Sequence, residues 1–269
     1  MKVVTINILA DLSLWEERRP LLVKGLSEIR PDILALQEVN LRENVAVWLA
    51  EKLDLPHIHI SPKSGNAGDW EGIAILSRFP LERHATLDLR YQNRVAQVVQ
   101  IQSGSQPVLF ANGHFYWQPG ESDKRLGQVE RFQEWLAEAA ARLGDPAIVV
   151  CGDFNALPEY KSIQKMRSRF TSAYAAIHGR EPEYTSPTPL PVSKLFMLRT
   201  GLDFLGDIDV IQLLTEFRKV WKGTLDYLFV NERLRVIDCQ LVLNSPAPDN
   251  PRIYPSDHLG LAADLEIIQ

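Results

Sequence analysis

The stretch VVCGDFNALP, residues 149–158, decides how the chain is read. An apolar run ends at Gly152, and Asp153 and Asn155 then stand one residue apart before Pro158. Gly, Asp, Asn and Pro are all turn formers, so the segment alone describes a strand closed by a tight turn. It also sets two polar side chains at the mouth of a buried strand. Whether that is more than a turn depends on what the other strand ends carry.

Working outward, strand-period and helix-period segments alternate along the chain. Residues 2–9 read as a strand, with Val4, Ile6 and Ile8 on one face and Val3, Thr5, Asn7 and Leu9 on the other. Leu22, Leu26 and Ile29 mark a helix that Pro31 ends, and Ile33 to Leu36 is a buried strand closed by Gln37 and Glu38. Val45, Trp48, Leu49 and Leu53 form a second helical stripe. Strands follow at about 72–76, 95–101 and 107–112, then a long helix carrying Leu126, Val129, Phe132, Leu136, Ala140 and Leu143 that Gly144 and Pro146 terminate. Strands recur near 147–151, 225–230, 236–243 and 259–266. Short links such as 102–106 imply hairpins, so the sheets are expected to be mixed. The expected fold is α/β, with two packed mixed β-sheets flanked by helices, in a single domain over residues 1–269.

Composition bounds the partners. The chain has 269 residues, 45% of them hydrophobic, and a formal net charge of −5, so no general basic field gathers nucleic acid. The basic cluster Lys161, Lys165, Arg167 and Arg169 reads as a solvated helix face. Cys151 and Cys239 lie in apolar runs as small core residues, without a CxxC pair. No run approaches the ~20 apolar residues of a membrane helix, and the expectation is a soluble cytoplasmic protein without a transmembrane segment. Residues 186–221 form an apolar connection that either packs on the domain or serves as a lid, partner surface or lipid contact.

The polar residues fall where the strands begin and end. Asn7 closes the first strand, Glu38 follows the second, His114 follows LFAN, Asp153 and Asn155 follow IVVC, Asp226 opens LDYLFV, and Asp257 and His258 precede the last strand. In a mixed sheet the end of one strand and the start of its antiparallel neighbour share an edge, so these groups can converge on one rim. Each has a plain structural explanation taken singly; Asp226 fits worst, because strands disfavour Asp without a partner. Together they point to chemistry. Carboxylate and amide oxygens are the ligands that Mg²⁺ or Mn²⁺ prefer, and two histidines beside them suit phosphoryl transfer to water. There is no GxSxG nucleophile elbow and no Gly-rich phosphate loop.

ALQEV, EGIAILSRFP, a strand ending in GH, GDFNALP, LDYLF and SDH, in that order from Asn7 to His258, resemble the endonuclease/exonuclease/phosphatase superfamily of deoxyribonuclease I-like fold. The resemblance implies a four-layer α/β sandwich and a metal-dependent hydrolase of phosphate esters. It implies Asn7, Glu38 and Asp257 at the metal, Asp153 orienting or activating water, and Asn155 on a phosphate oxygen or metal. His258 would contact the scissile phosphate, with Asp226 orienting its ring; His114 would be a second histidine, with Glu71 where some members pair it. HFYWQPGESDKRLGQ, SAYAAIHGREPEYT and TLDYLFVN resemble the deadenylase and nocturnin group. Phe115, Tyr116 and Trp117 could there stack a base or equally fill core and loop space. The expected substrate is a nucleotide or single-stranded nucleic acid, with small phosphorylated or lipid phosphoesters as the alternative. A catalytically silent binding module is disfavoured because every expected polar position is occupied.

Overall fold

A computed structural model of the chain describes residues 1–103, 106–193 and 222–268. Among these residues the strands form two six-stranded mixed sheets. The first contains β1 (Lys2–Asn7), β2 (Ile33–Asn40), β3 (His57–Pro62), β4 (Glu71–Ser77), β11 (Leu234–Val242) and β12 (Gly260–Ile267), in the order β11-β12-β1-β2-β4-β3. The second contains β5 (Leu81–Asp88), β6 (Val95–Ser103), β7 (Gln106–His114), β8 (Ala147–Asp153), β9 (Thr171–Ser172) and β10 (Asp226–Val230), in the order β5-β6-β7-β8-β10-β9. β1 pairs with β2, and β7 with β8, in parallel, while the other described pairs are antiparallel.

The inner faces meet in one apolar layer, with Val3, Ile33 and Ile75 from the first sheet against Val99, Phe110 and Val149 from the second. Burial of each such side chain contributes roughly 1.5–3 kcal/mol. α1 (Trp15–Ile29) and α2 (Val45–Leu53) cover the outer face of the first sheet through Leu22, Leu26 and Leu49. α3 (Asp123–Ala141) and α4 (Lys161–Arg167) cover the second through Val129, Phe132, Ile163 and Met166. The result is the expected helix–sheet–sheet–helix sandwich. α5 (Ala173–His178) is a short addition beside β10 and β11.

Polar side chains also cross the inter-sheet layer. Gln37 Nε2 donates to Thr5 Oγ1 at 3.1 Å and to Asn112 Oδ1 at 2.7 Å, and Asn112 Nδ2 donates to the carbonyls of Leu36 and Ala74 at 3.0 and 3.1 Å. Bonds of this kind cost little when made and much when missing, so they fix the register between the sheets. They lie at the strand ends that carry the polar rim.

Three strands escape the sequence pattern. β3 and β5 are edge strands, and β5 in particular, LERHATLD, exposes most of its residues, so it carries no apolar alternation. β9 is two residues long. The basic cluster on α4 is a partly paired helix face: Lys165 Nζ is 3.6 Å from Glu130, and Arg167 Nη2 is 2.7 Å from Glu181. Cys151 and Cys239 are buried and free, and burial pushes both thiols up to about 12. Of the apolar stretch 186–221, residues 194–221 lie outside the described residues. Its described start packs Leu190 against Leu9 and Ile253. Among the described residues, no helix is long and apolar enough to cross a membrane.

At the end of β8 the backbone runs so close to β7 that only glycine fits. Gly152 has φ +138°, and a Cβ there would stand 2.0 Å from the Gly113 carbonyl oxygen. Gly152→Ala is therefore expected to lower stability by about 2–4 kcal/mol, from backbone strain and the clash together. Urea unfolding checks this; a midpoint within error of the parent contradicts the close approach.

Candidate active site

Six strand ends meet at one edge of the sandwich, because β1, β2, β7 and β8 finish where β10 and β12 begin. Asp226 lies opposite Asp153 in the β8–β10 register, and His114 lies opposite Asp153 in the β7–β8 register. The topology alone therefore sets three polar residues side by side on the second sheet. The first sheet supplies Asn7, Glu38 and, just before β12, Asp257 and His258.

Glu38 reaches the rim through a backbone irregularity. The β2–β4 register shifts between Leu36 and Val39, and Glu38 sits within that shift with φ +53°. A left-handed conformation is costly for a side chain such as Glu, and strain of this kind gathers at functional positions. Asn155 also adopts a left-handed conformation, φ +49°, which Asn tolerates better.

Asn7 joins the two sheets at the rim. Asn7 Nδ2 donates to Glu38 Oε1 at 3.0 Å and to Asp153 Oδ2 at 3.1 Å. His258 Nδ1 lies 2.8 Å from Asp226 Oδ2. One ligand atom from each of Asp153, Asp226 and His258 falls within 4.8 Å of the others. His114 Nε2 stands 3.5 Å from Asp153 Oδ2 and 4.0 Å from Glu38 Oε1. Asp153 is 1% exposed and His258 7%, so the cluster is largely desolvated.

Electrostatics separate the two histidines. Burial disfavours charge on His258, but the charge and hydrogen bond of Asp226, with Asp257 and Asp153 behind it, outweigh burial and hold its pKa well above the usual value. His114 goes the other way: burial first, then the nearby Arg94, Lys63 and His258, hold it well below. Burial and the neighbouring Asp226 push Asp153 up to about 7, against the hydrogen bonds it accepts from the Asn155 backbone and Asn7. The rim thus pushes its two histidines in opposite directions, His258 toward the charged form and His114 toward the neutral one, and raises Asp153.

Several sequence expectations change on this geometry. Asn7 is tied into the rim at both ends of its amide: the oxygen accepts from the Leu9 backbone N–H at 3.1 Å, and the N–H groups bridge Glu38 and Asp153. Glu71 is not paired with His114. Its carboxylate is 2.5 Å from Lys63 Nζ, while Arg94 Nη1 packs 2.7 Å from His114 Nδ1. Phe115 and Tyr116 cannot stack a base, being 0% and 1% exposed; Phe115 stacks on Phe154 in the core, and the Tyr116 hydroxyl donates to Gln118. Trp117 is half-buried on the loop after His114, its backbone held at both polar atoms by the Gln92 side chain. Asn155 Nδ2 donates to the Phe115 carbonyl at 3.3 Å. Asp257 is half-buried, and its carboxylate accepts from the Ser256 hydroxyl at 3.2 Å.

Three cations near the rim escaped the sequence reading. Lys63 and Arg94 lie in polar surroundings that give no periodic signal. Arg18 does leave one: it continues the apolar stripe of Leu22 and Leu26 at intervals of four. It is fully buried and donates to the carbonyls of Ile8, Leu9, Asp11 and Pro255, at 3.0, 3.3, 2.5 and 3.1 Å. The segment after Asn7 and the segment before Asp257 are thereby held together.

Comparison with known proteins fits this arrangement. The Endonuclease/Exonuclease/phosphatase family model matches residues 4–258. The chain belongs to that family. Among its family relatives, Carbon catabolite repressor protein 4 homolog 4 of Arabidopsis thaliana is 27% identical over 173 residues, 60% of this chain and 38% of that protein. Nocturnin of Homo sapiens is 24% identical over 285 residues, 95% of this chain and 59% of that protein. The structure of the human Nocturnin catalytic domain with bound sulfate superposes with a TM-score of 0.74 at 24% identity, covering 100% of this chain and 94% of that one. D. rerio TDP2 complexed with a single-strand DNA product gives 0.73 at 15% identity, covering 99% and 98%. The chain spans from 38% to 64% of the length of the first four curated relatives it matches.

Proposed function

We propose that the chain is a divalent-metal-dependent phosphodiesterase acting on nucleotides or single-stranded nucleic acid, forming a single domain over its length. The observation that carries this reading is the convergence of Asp153, Asp226 and His258 within 4.8 Å, with Asn7 joining Glu38 to Asp153 across the two sheets. Relatives named as an exoribonuclease subunit and as a protein bound to a DNA product support the substrate class.

The donor set suits Mg²⁺ or Mn²⁺. Asp226 Oδ1 is buried without a hydrogen-bond partner, and Glu38, Asp153 and Asp257 crowd like charges into a desolvated rim. Carboxylates in that state are relieved by a hard cation. Glu38 and Asp257 are the residues that would hold it. Bound there, it supplies Lewis-acid neutralisation of phosphate charge.

The protein's own groups position water and phosphate. Asp153, held by Asn7 and the Asn155 backbone, takes a proton from the attacking water. His258 donates through Nδ1 to Asp226, which leaves its Nε2–H for a phosphate oxygen on which charge develops. The neutral His114 and the Asn155 amide complete the polar wall. Of Phe115, Tyr116 and Trp117, Trp117 alone keeps exposed surface for a base.

Hydrolysis of bis(p-nitrophenyl) phosphate with Mn²⁺, then with EDTA, tests the reading. Turnover is expected to vanish on chelation and return on adding metal back; turnover indifferent to EDTA rejects it. A second reading, a phosphoesterase of small or lipid substrates, is favoured by Leu190 and Val192, which pack with Leu9 and Ile253 at the start of the apolar stretch. A panel of diesters and monoesters separates the two.

The pH profile carries a further prediction. A step that needs the His258 imidazolium is intact below its pKa and lost above it. Asp226 raises that pKa, so Asp226→Asn is expected to move the alkaline limb of kcat to lower pH. An unmoved limb contradicts the pairing.

A further inference from the structure

Thr185 lies just outside the polar rim, at the start of the connection to residue 222, and is 0% exposed. Its hydroxyl accepts from two backbone N–H groups, Leu225 at 2.9 Å and Asp226 at 3.1 Å. A hydroxyl has two acceptor positions and one proton. With both acceptor positions filled, the proton is directed to the remaining partner, Asp226 Oδ2, at 2.5 Å. That oxygen also receives His258 Nδ1–H at 2.8 Å.

The backbone of Thr185 grips the other side of the same pair. Its carbonyl accepts from Leu259 N at 2.7 Å, immediately after His258, and its N–H donates to Gly223 O at 3.0 Å. Three residues on, Thr188 donates through its backbone N–H to Asp257 O at 2.8 Å and through its hydroxyl to Ser256 O at 2.7 Å. The segment 185–188 is therefore fastened to the strand that carries Asp226 and to the loop that carries His258.

We propose that Thr185 is a positioning residue: its hydroxyl fixes the Asp226 carboxylate in the orientation from which that carboxylate holds the His258 ring. The hydroxyl also fixes which face of Asp226 Oδ2 is left for the imidazole, so ring orientation and donor direction depend on it. The proposal rests on the reading of Asp226 and His258 as a working pair and extends it to a third group. Thr185 touches neither substrate nor metal; it acts through Asp226.

Three variants test the hydroxyl separately from the space it fills. Thr185→Val keeps the shape and removes the hydroxyl, Thr185→Ser keeps the hydroxyl and removes the methyl, and Thr185→Ala removes both. With the Mn²⁺-loaded protein and bis(p-nitrophenyl) phosphate, Thr185→Val and Thr185→Ala are expected to lower kcat by about 10- to 100-fold, the range for residues that orient a working group. KM is expected to stay near that of the parent, and Thr185→Ser to retain most of kcat. The Nδ1–H proton resonance of His258, observed in the whole chain without substrate, is expected to shift or broaden in Thr185→Val and not in Thr185→Ser. Parental kcat in Thr185→Val, or equal damage in Thr185→Ser and Thr185→Val, overturns the proposal. If the parent hydrolyses no diester the functional reading fails on its own. The Nδ1–H comparison then still decides the role of Thr185: an unchanged resonance in Thr185→Val rejects it.

Discussion

Asp153→Asn is expected to lower kcat for phosphodiester hydrolysis by about 10²- to 10⁴-fold, the range for removing a positioned general base. The substitution preserves volume and one oxygen, so the hydrogen bond from the Asn155 backbone can persist while the proton acceptor is lost. Removing one charge relieves the repulsion between Asp153 and Asp226, while the amide that replaces Oδ2 meets the Asn7 N–H and gives up that bond. The expected result is a folded protein, with an unfolding midpoint near that of the parent because the two changes oppose each other, that binds Mn²⁺ and barely turns over. Stopped or continuous assay of diester hydrolysis, beside a thermal melt, checks both halves. A variant with parental kcat removes Asp153 from the chemistry.

The second large effect concerns His258. His258→Gln is expected to reduce kcat by about 10²- to 10³-fold, as for removal of a charged donor aimed at developing negative charge. Gln keeps an amide N–H but cannot carry the proton that Asp226, Asp257 and Asp153 stabilise on the imidazole. The loss should fall on kcat more than on KM, because the charge it meets grows only on the way to the transition state. Steady-state kinetics across substrate concentration separates the two. A loss confined to KM would make His258 a binding group.

Most of this architecture can be read from the sequence for a physical reason: the central strands are buried on both faces and write continuous apolar runs. IVVC and LDYLFV are legible because they are central strands, whereas β5, LERHATLD, is hidden because an edge strand satisfies water on its outer side. The rim residues are legible from position, since a polar side chain at the end of a buried strand has few reasons to be there. Their partners are less so. That Asn7 bridges two carboxylates, and that Lys63 rather than His114 meets Glu71, depends on side-chain directions across the sheets that no local pattern encodes. Tyr116 shows the same limit: its motif suits a stacking platform, but the turn after β7 carries the ring inward. Arg18 is the instructive omission, because a charged residue in an apolar helical stripe signals a buried guanidinium with backbone partners.

The proposed mechanism centres on one edge shared by both sheets, and a double-mutant cycle across that edge addresses it most directly. Asp153 stands on the second sheet and His258 leads into the first, with ligand atoms within 4.8 Å. Groups that serve one transition state fail together, so their losses do not multiply. The kcat of Asp153→Asn/His258→Gln is therefore expected to be close to that of the worse single variant, measured on one diester with saturating Mn²⁺. A double variant whose loss equals the product of the two single losses would mean that Asp153 and His258 act independently, and would contradict a common site.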